Sequence, residues 1–192
     1  MVDLFSLAIA SGSFVISMVA LYLTYFQRGN LKLTRPTALF FTRDGYDGQF
    51  KIVVTALLYS TAKRGQVVES MFVKVIRDGS VATFGEWIYF EGNKVHLGGV
   101  KIGEEGRTLF DHFLLSGETD GFSFTSGKHL LEIYASLVGA RTPVRLFQTE
   151  FVLDAETCEA IRPHGAGFAL LWSADTQSYR IQIGPPKSHR GM

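Results

Sequence analysis

The chain has 192 residues, with 19 Lys plus Arg against 18 Asp plus Glu, so its formal net charge is +1 and no nucleic-acid partner is expected. With Phe at 16, Gly at 20 and Pro at only 5, the composition suits a sheet-rich globular domain with tight turns and excludes a disordered chain. A single cysteine, Cys158, excludes an internal disulfide and a Cys-x-x-Cys zinc pair.

Leu4 to Phe26 reads LFSLAIASGSFVISMVALYLTYF and carries no charge. At 1.5 Å per residue it reaches roughly 34 Å, enough to cross a hydrocarbon core of about 30 Å. Tyr22, Tyr25 and Phe26 stand at its far end, where an aromatic belt belongs. Gln27-Arg28 and then Gly29-Asn30 end the helix. A cleaved signal peptide would need a basic leader and a shorter apolar run ending in small residues. This segment has Met-Val-Asp before it and aromatics after it. The expectation is a single-pass anchor over 1–28 in a cell inner membrane. Arg28, Lys32, Arg35 and Arg43 follow the anchor, and only Asp3 precedes it. The positive-inside rule then places the N-terminus outside and the rest in the cytoplasm, with an extracytoplasmic β-domain as the alternative.

The anchor carries a second pattern. Ser6, Ala10, Ser13, Ser17, Ala20 and Thr24 are spaced by four and three, so all six share one helix face. A stripe of small residues lets another helix approach closely, and its hydroxyls can bond across. The alternative is Ser and Thr bonding back to their own helix. The partners expected are the membrane and another transmembrane helix, from a second copy or a different protein.

Beyond the anchor, short apolar runs alternate with turn clusters. Candidate strands are 31–42, 49–60, 66–77, 80–91, 107–116, 128–138, 143–153, 167–173 and 178–183. This spacing indicates an all-β sandwich or barrel. Phe50 to Tyr59 is apolar on both alternating sets apart from Lys51 and Thr55, as in a central strand. Asp78-Gly79, between two apolar runs, is a type I′ hairpin signal. In 128–138, Leu131, Ile133, Ala135 and Leu137 face one way, and Glu132 and Ser136 the other. The fold class expected is mainly β: an Ig-like or fibronectin-like antiparallel β-sandwich over 31–153, preceded by one transmembrane helix. A C-terminal β-hairpin extension covers 154–184, with DAETCEAI as a helical turn, and a disordered tail covers 185–192.

The anchor, then GNLKLTRPTALFF and LLYSTAKRGQVVESMFVKV, resembles a group of uncharacterised bacterial proteins with the same layout. The likeness spans roughly residues 20–150. It implies a membrane-tethered β-sandwich and carries over no activity and no catalytic residues.

Recognisable chemistry is sparse. GFSFTSGKH, from Gly121 to His129, has the wrong glycine spacing for a phosphate loop and precedes a strand, so it reads as a turn. GGVKIGEEG, from Gly98 to Gly106, does not match a dinucleotide loop and reads as a mobile loop. Asp44 to Gly48 lacks the oxygen ligands of a calcium loop and reads as a hairpin tip. His96, His112, His129, His164 and His189 form no pair with metal-ligand spacing. Asp111 and His112 alternate faces and make no dyad. Asp111, His129 and Glu132 read as polar residues on solvent faces. No catalytic, cofactor-binding or metal residue is identified, no cofactor is expected, and the chain does not read as an enzyme.

Ser60 to Gln66 (STAKRGQ) is the most specific-looking loop. Its adjacent Lys63 and Arg64 suit anionic lipid or an acidic partner group. The function expected is a membrane-tethered interaction or scaffold module. The alternative is a sensory domain binding a small molecule or carbohydrate in a pocket lined by Trp87, Tyr89, Phe90 and Trp172.

Overall fold

A computed structural model describes residues 3–25, 29–43, 49–92, 94–116, 122–161 and 166–184. The helix stop at Gln27-Arg28, the Asp44 to Gly48 tip, the Gly117 to Gly121 turn, His164 and the 185–192 tail lie outside these residues.

The apolar run forms helix α1 (Leu4–Tyr25). Phe5–Tyr22 has a mean hydropathy of 1.8 and none of it is buried, so it is long and apolar enough to cross a membrane. The rest is antiparallel sheet: β1 (Leu31–Leu33), β2 (Ala38–Thr42), β3 (Lys51–Ser60), β4 (Gln66–Arg77), β5 (Ser80–Glu91), β6 (Lys94–Leu97), β7 (Val100–Ile102), β8 (Arg107–Leu115), β9 (Gly127–Leu137), β10 (Val144–Leu153), β11 (Gly167–Ser173) and β12 (Ser178–Ile183). The hydrogen-bonded order is β10-β9-β4-β5-β8-β3-β2-β11-β12. β1 continues this surface on β3 and approaches β10, so the sheet nearly closes.

Local chemistry explains most boundaries. Asp78 and Gly79 both have positive φ, 46° and 82°, as the type I′ turn joining β4 to β5 requires. Asp154 caps α2 (Ala155–Ala160) by accepting from the Thr157 amide at 2.6 Å. Gly167 crosses so close to β2 that a Cβ there would stand 2.2 Å from the Phe41 carbonyl oxygen.

Two expectations are corrected. The run 31–42 is two strands, not one, because Thr34 to Thr37 bulge out, four residues opposing Ala56 and Leu57. Pro36 has no N–H for the ladder. Beside it, the Thr34 hydroxyl accepts from the Leu57 amide at 2.9 Å, and the Thr34 amide donates to the Leu57 carbonyl at 2.9 Å. Gly98 to Gly106 is not a mobile loop: Val100–Ile102 pairs with the start of β4, and the Gly99 amide donates to the Glu69 carbonyl at 3.0 Å.

Alternate residues fill the interior. Leu39, Ile52, Val54, Leu58, Phe113, Leu131 and Ile133 are all fully buried. The C-terminal hairpin joins this core: β11 pairs with both β2 and β12, and Phe168 stacks on Phe41 with centroids 4.4 Å apart.

Candidate membrane-side interface

The strands give the sheet two poles. One carries the end of β3, the start of β4 and the entry from α1. The segment after α1 is fastened there. The Asn30 amide donates to Thr61 Oγ1 at 2.7 Å, and the Thr61 amide donates to the Asn30 carbonyl at 3.0 Å. The Gln66 side-chain amide donates to the Gly29 carbonyl. Gly29 lies flush against the turn, where a Cβ would stand 2.2 Å from the Ala62 amide nitrogen. Substituting Gly29 by Ala should therefore force the two segments apart at a cost of about 1–3 kcal/mol. Faster hydrogen exchange at the Thr61 amide would register the loss, and unchanged exchange would show that the clamp does not depend on Gly29.

Covalent geometry turns the clamp into a position. Tyr25 ends the helix, and Gly29 is four Cα steps further on, which span at most about 14 Å. The Ser60 to Gly65 turn is thus held near the end of α1. Lys63 and Arg64 are exposed at its tip. Lys32 faces Tyr59 on β1, and Lys101 faces Val67 on β7. Arg141 lies in the turn after β9, whose Val138 amide donates to Val67. These cations are exposed at the same pole, against Glu69, Glu104 and Glu105. Among the described residues Lys32, Lys63, Lys101 and Arg141 join no ion pair. Asp78, Asp154 and Glu156 lie at the far pole, where β4 turns into β5 and β10 ends.

On α1, Ser6, Ala10, Ser13, Ser17 and Ala20 are all exposed. The Ser17 hydroxyl donates to the Ser13 carbonyl at 2.8 Å, and Ser11 does the same to Leu7 at 2.9 Å. These back-bonds spend the donors and leave the hydroxyl oxygens as acceptors. Thr24 lies on the same helix, and its side chain is outside the described ones.

The interior holds a polar cluster that period-two strand reading can find. Asp111 was expected on a solvent face, yet it is completely buried. It shares strand parity with Leu109, Phe113 and Leu115, which all point inward. Arg107, four residues upstream on the same face, binds its carboxylate through both terminal nitrogens, at 2.7 and 3.1 Å. Trp87 Nε1–H donates at 2.8 Å. The Arg107 guanidinium also lies 4.4 Å from the Tyr89 ring centroid. Burial pushes the Asp111 carboxyl above its ordinary value, against the opposing pull of Arg107 and Trp87. Asp111 and Trp87 are buried while Arg107 keeps 19% of its side chain exposed, and together they tie β5 to β8. His129 is a second correction: it is buried, stacked on Phe151 at 5.1 Å, and burial lowers its pKa. Glu132 points outward, as expected, but is covered by Tyr134 and Arg145, which donate to it at 2.8 and 2.6 Å.

The four aromatics split. Trp87 and Tyr89 belong to the core, and Phe90 is 43% exposed. Trp172 and Tyr179 line a groove of about 380 Å³ between β10 and the β11–β12 hairpin, together with Glu150, Phe151, Val152 and Leu170. Phe90 belongs to a different feature. It faces Val95, beside the Ile88–Leu97 pair, and its ring meets His112 at 5.2 Å, with Phe110 alongside. Val95 is 61% exposed, Leu97 76% and Phe110 50%. The outer surface of β5, β6 and β8 thus exposes Phe90, Val95, Leu97 and Phe110, with the His112 ring between the two phenylalanines.

A scan against protein-family models and a search of curated proteins found no match to this chain.

Proposed function

We propose that the chain is a single-pass inner-membrane protein whose β-domain is an interaction or scaffold module on the cytoplasmic side. The exposed apolar face of Phe90, Val95, Leu97 and Phe110 carries this reading, since clustered apolar surface on a soluble domain marks a contact site. The edge of β12 at the end of the sheet path adds to it. The anchor supplies the membrane, and its small-residue stripe supplies a helix contact with a second copy or a partner. The basic residues after α1 support the cytoplasmic orientation. The Ig-like and bacterial character of the chain belongs to the same proposal: such modules work by presenting loops and strand edges.

The test is a membrane two-hybrid assay on the full chain. Ser13→Leu with Ser17→Leu should weaken an association made through the anchor, and Phe90→Ser with Leu97→Ser one made through the β-domain. Each double change should lower the signal roughly tenfold, about 1.4 kcal/mol. If neither pair changes any association, the module reading fails.

A second reading, a sensory domain for a small molecule or carbohydrate, has one observation in its favour: the groove beside Trp172 and Tyr179. A ligand seated there would shift Trp172 emission in a Trp87→Phe background.

A further inference from the structure

We propose that the pole of the β-domain fastened to the anchor docks on anionic lipid headgroups through Lys32, Lys63, Arg64, Lys101 and Arg141. This rests on the reading of α1 as a membrane anchor and adds what the domain does beside that membrane.

Three observations converge. The clamp of Gly29 and Asn30 onto Thr61 and Gln66 leaves only three residues between the helix end and the pole. That short connection holds Gly29, and the Ala62 backbone packed against it, within about 14 Å of the end of α1, with Lys63 and Arg64 next along the turn. A protein surface held so close to a bilayer sits within one to two Debye lengths of the headgroups, where charge is still felt. The second is the charge itself. Cations from β1, the β3–β4 turn, β7 and the turn after β9 come from separate parts of the sequence and meet at one pole. The other pole mixes Asp78, Asp154 and Glu156 with Lys51, Arg77 and Lys128, and there Arg77 and Lys128 are paired with carboxylates. The third is that Lys32, Lys63, Lys101 and Arg141 are exposed and joined to no carboxylate among the described residues. Glu69, Glu104 and Glu105 share the pole and reduce the charge of the five cations without cancelling it.

The apolar face of β5, β6 and β8 stands apart from this surface, because Phe90 lies level with Phe110 and Thr55, well down the strands from Ser60. Lipid docking at the pole therefore leaves that face open to a protein.

The test uses the full chain in lipid nanodiscs. Cys158 is replaced by Ala, and a fluorophore is attached at the pole through Glu104→Cys. Quenching by lipids with a nitroxide on the headgroup reads proximity. Discs of phosphatidylcholine alone are compared with discs holding roughly 30% phosphatidylserine, at about 0.05 and 0.5 M salt. Quenching should rise with phosphatidylserine and fall back in high salt. Removing cations as Lys63→Gln, then Lys63→Gln with Arg64→Gln, should lower the docked-to-free ratio about fivefold per charge. Equal quenching in both lipids, with the chain in the discs, overturns the proposal and leaves the anchored module standing. Lipid-dependent quenching that ignores the Gln variants also overturns it. A chain that does not enter the discs overturns the anchor and this inference together.

Discussion

Replacing Arg107 by Ala should destabilise the β-domain by about 3–5 kcal/mol, because it strands a buried carboxylate. Asp111 has no exposed surface, and apart from Arg107 its side-chain partner is Trp87. Removing both charges is a different experiment. Arg107→Met with Asp111→Leu should sit within about 1–2 kcal/mol of the parent, since a well-packed apolar pair can replace a buried ion pair. Urea unfolding of the full chain in detergent measures both.

The pH dependence identifies the stranded group. Burial holds the folded-state pKa of Asp111 above its ordinary value. A raised carboxylate pKa gives stability that is present below the ordinary carboxylate range and lost as pH rises through the folded value. Loss of Arg107 removes a downward pull and raises that pKa further. The deficit of Arg107→Ala should therefore be greatest at neutral pH and shrink on acidification. A deficit that stays constant would mean that Asp111 is not the group left uncompensated. Glu132 behaves in the opposite sense. Burial raises its pKa, but the bonds from Tyr134 and Arg145 outweigh burial and leave it lowered. Its contribution is present above the ordinary range and lost as pH falls. Variant and parent must therefore be compared at each pH.

Phe41→Ala should cost a similar amount, about 3–5 kcal/mol. Phe41 is 1% exposed on a strand of only five residues that joins β3 to β11. Its ring stacks on Phe168 and meets Phe124 and Phe151 at 5.5 and 5.6 Å. Truncation removes three ring contacts and opens a cavity at the point where the C-terminal hairpin is attached. Val152→Ala, at a site 62% exposed on β10, should change stability by no more than about 0.5 kcal/mol. If the two variants unfold at the same urea concentration, Phe41 does not hold the hairpin.

Much of the architecture was legible in the sequence because its signals are local. Gln66–Arg77 and Ser80–Glu91 form strands at the residues where hydrophobic runs meet the Asp78-Gly79 turn. The apolar helix, the β9 alternation and the C-terminal hairpin follow from periodicity in the same way. β6 and β7 were missed because they have only four and three residues and lie among glycines. What decides their pairing is the fork where β4 and β5 separate, and no local pattern encodes it.

The site was legible only in part. Lys63 and Arg64 stood out as adjacent cations at a tip between apolar runs. Their nearness to the end of α1 rests on Asn30 meeting Thr61, 31 residues away. Strand pairing alone creates that contact. Asp111 was misplaced because it was read by residue type. Its parity with Leu109 and Phe113, and with Arg107 two repeats of that alternation further back, pointed inward.

The clamp at Asn30 also fixes how the domain bears load. The chain from α1 reaches β1 at one pole, and Gly184, bonded to the Gly167 carbonyl, lies at the other. A pull between the two ends therefore runs along the strands. The β1–β3 bonds and the Asn30–Thr61 pair lie across that direction, so they are strained together in shear rather than opened one after another. A domain stitched this way stays folded under a tension that would unzip a hairpin pulled from its open end.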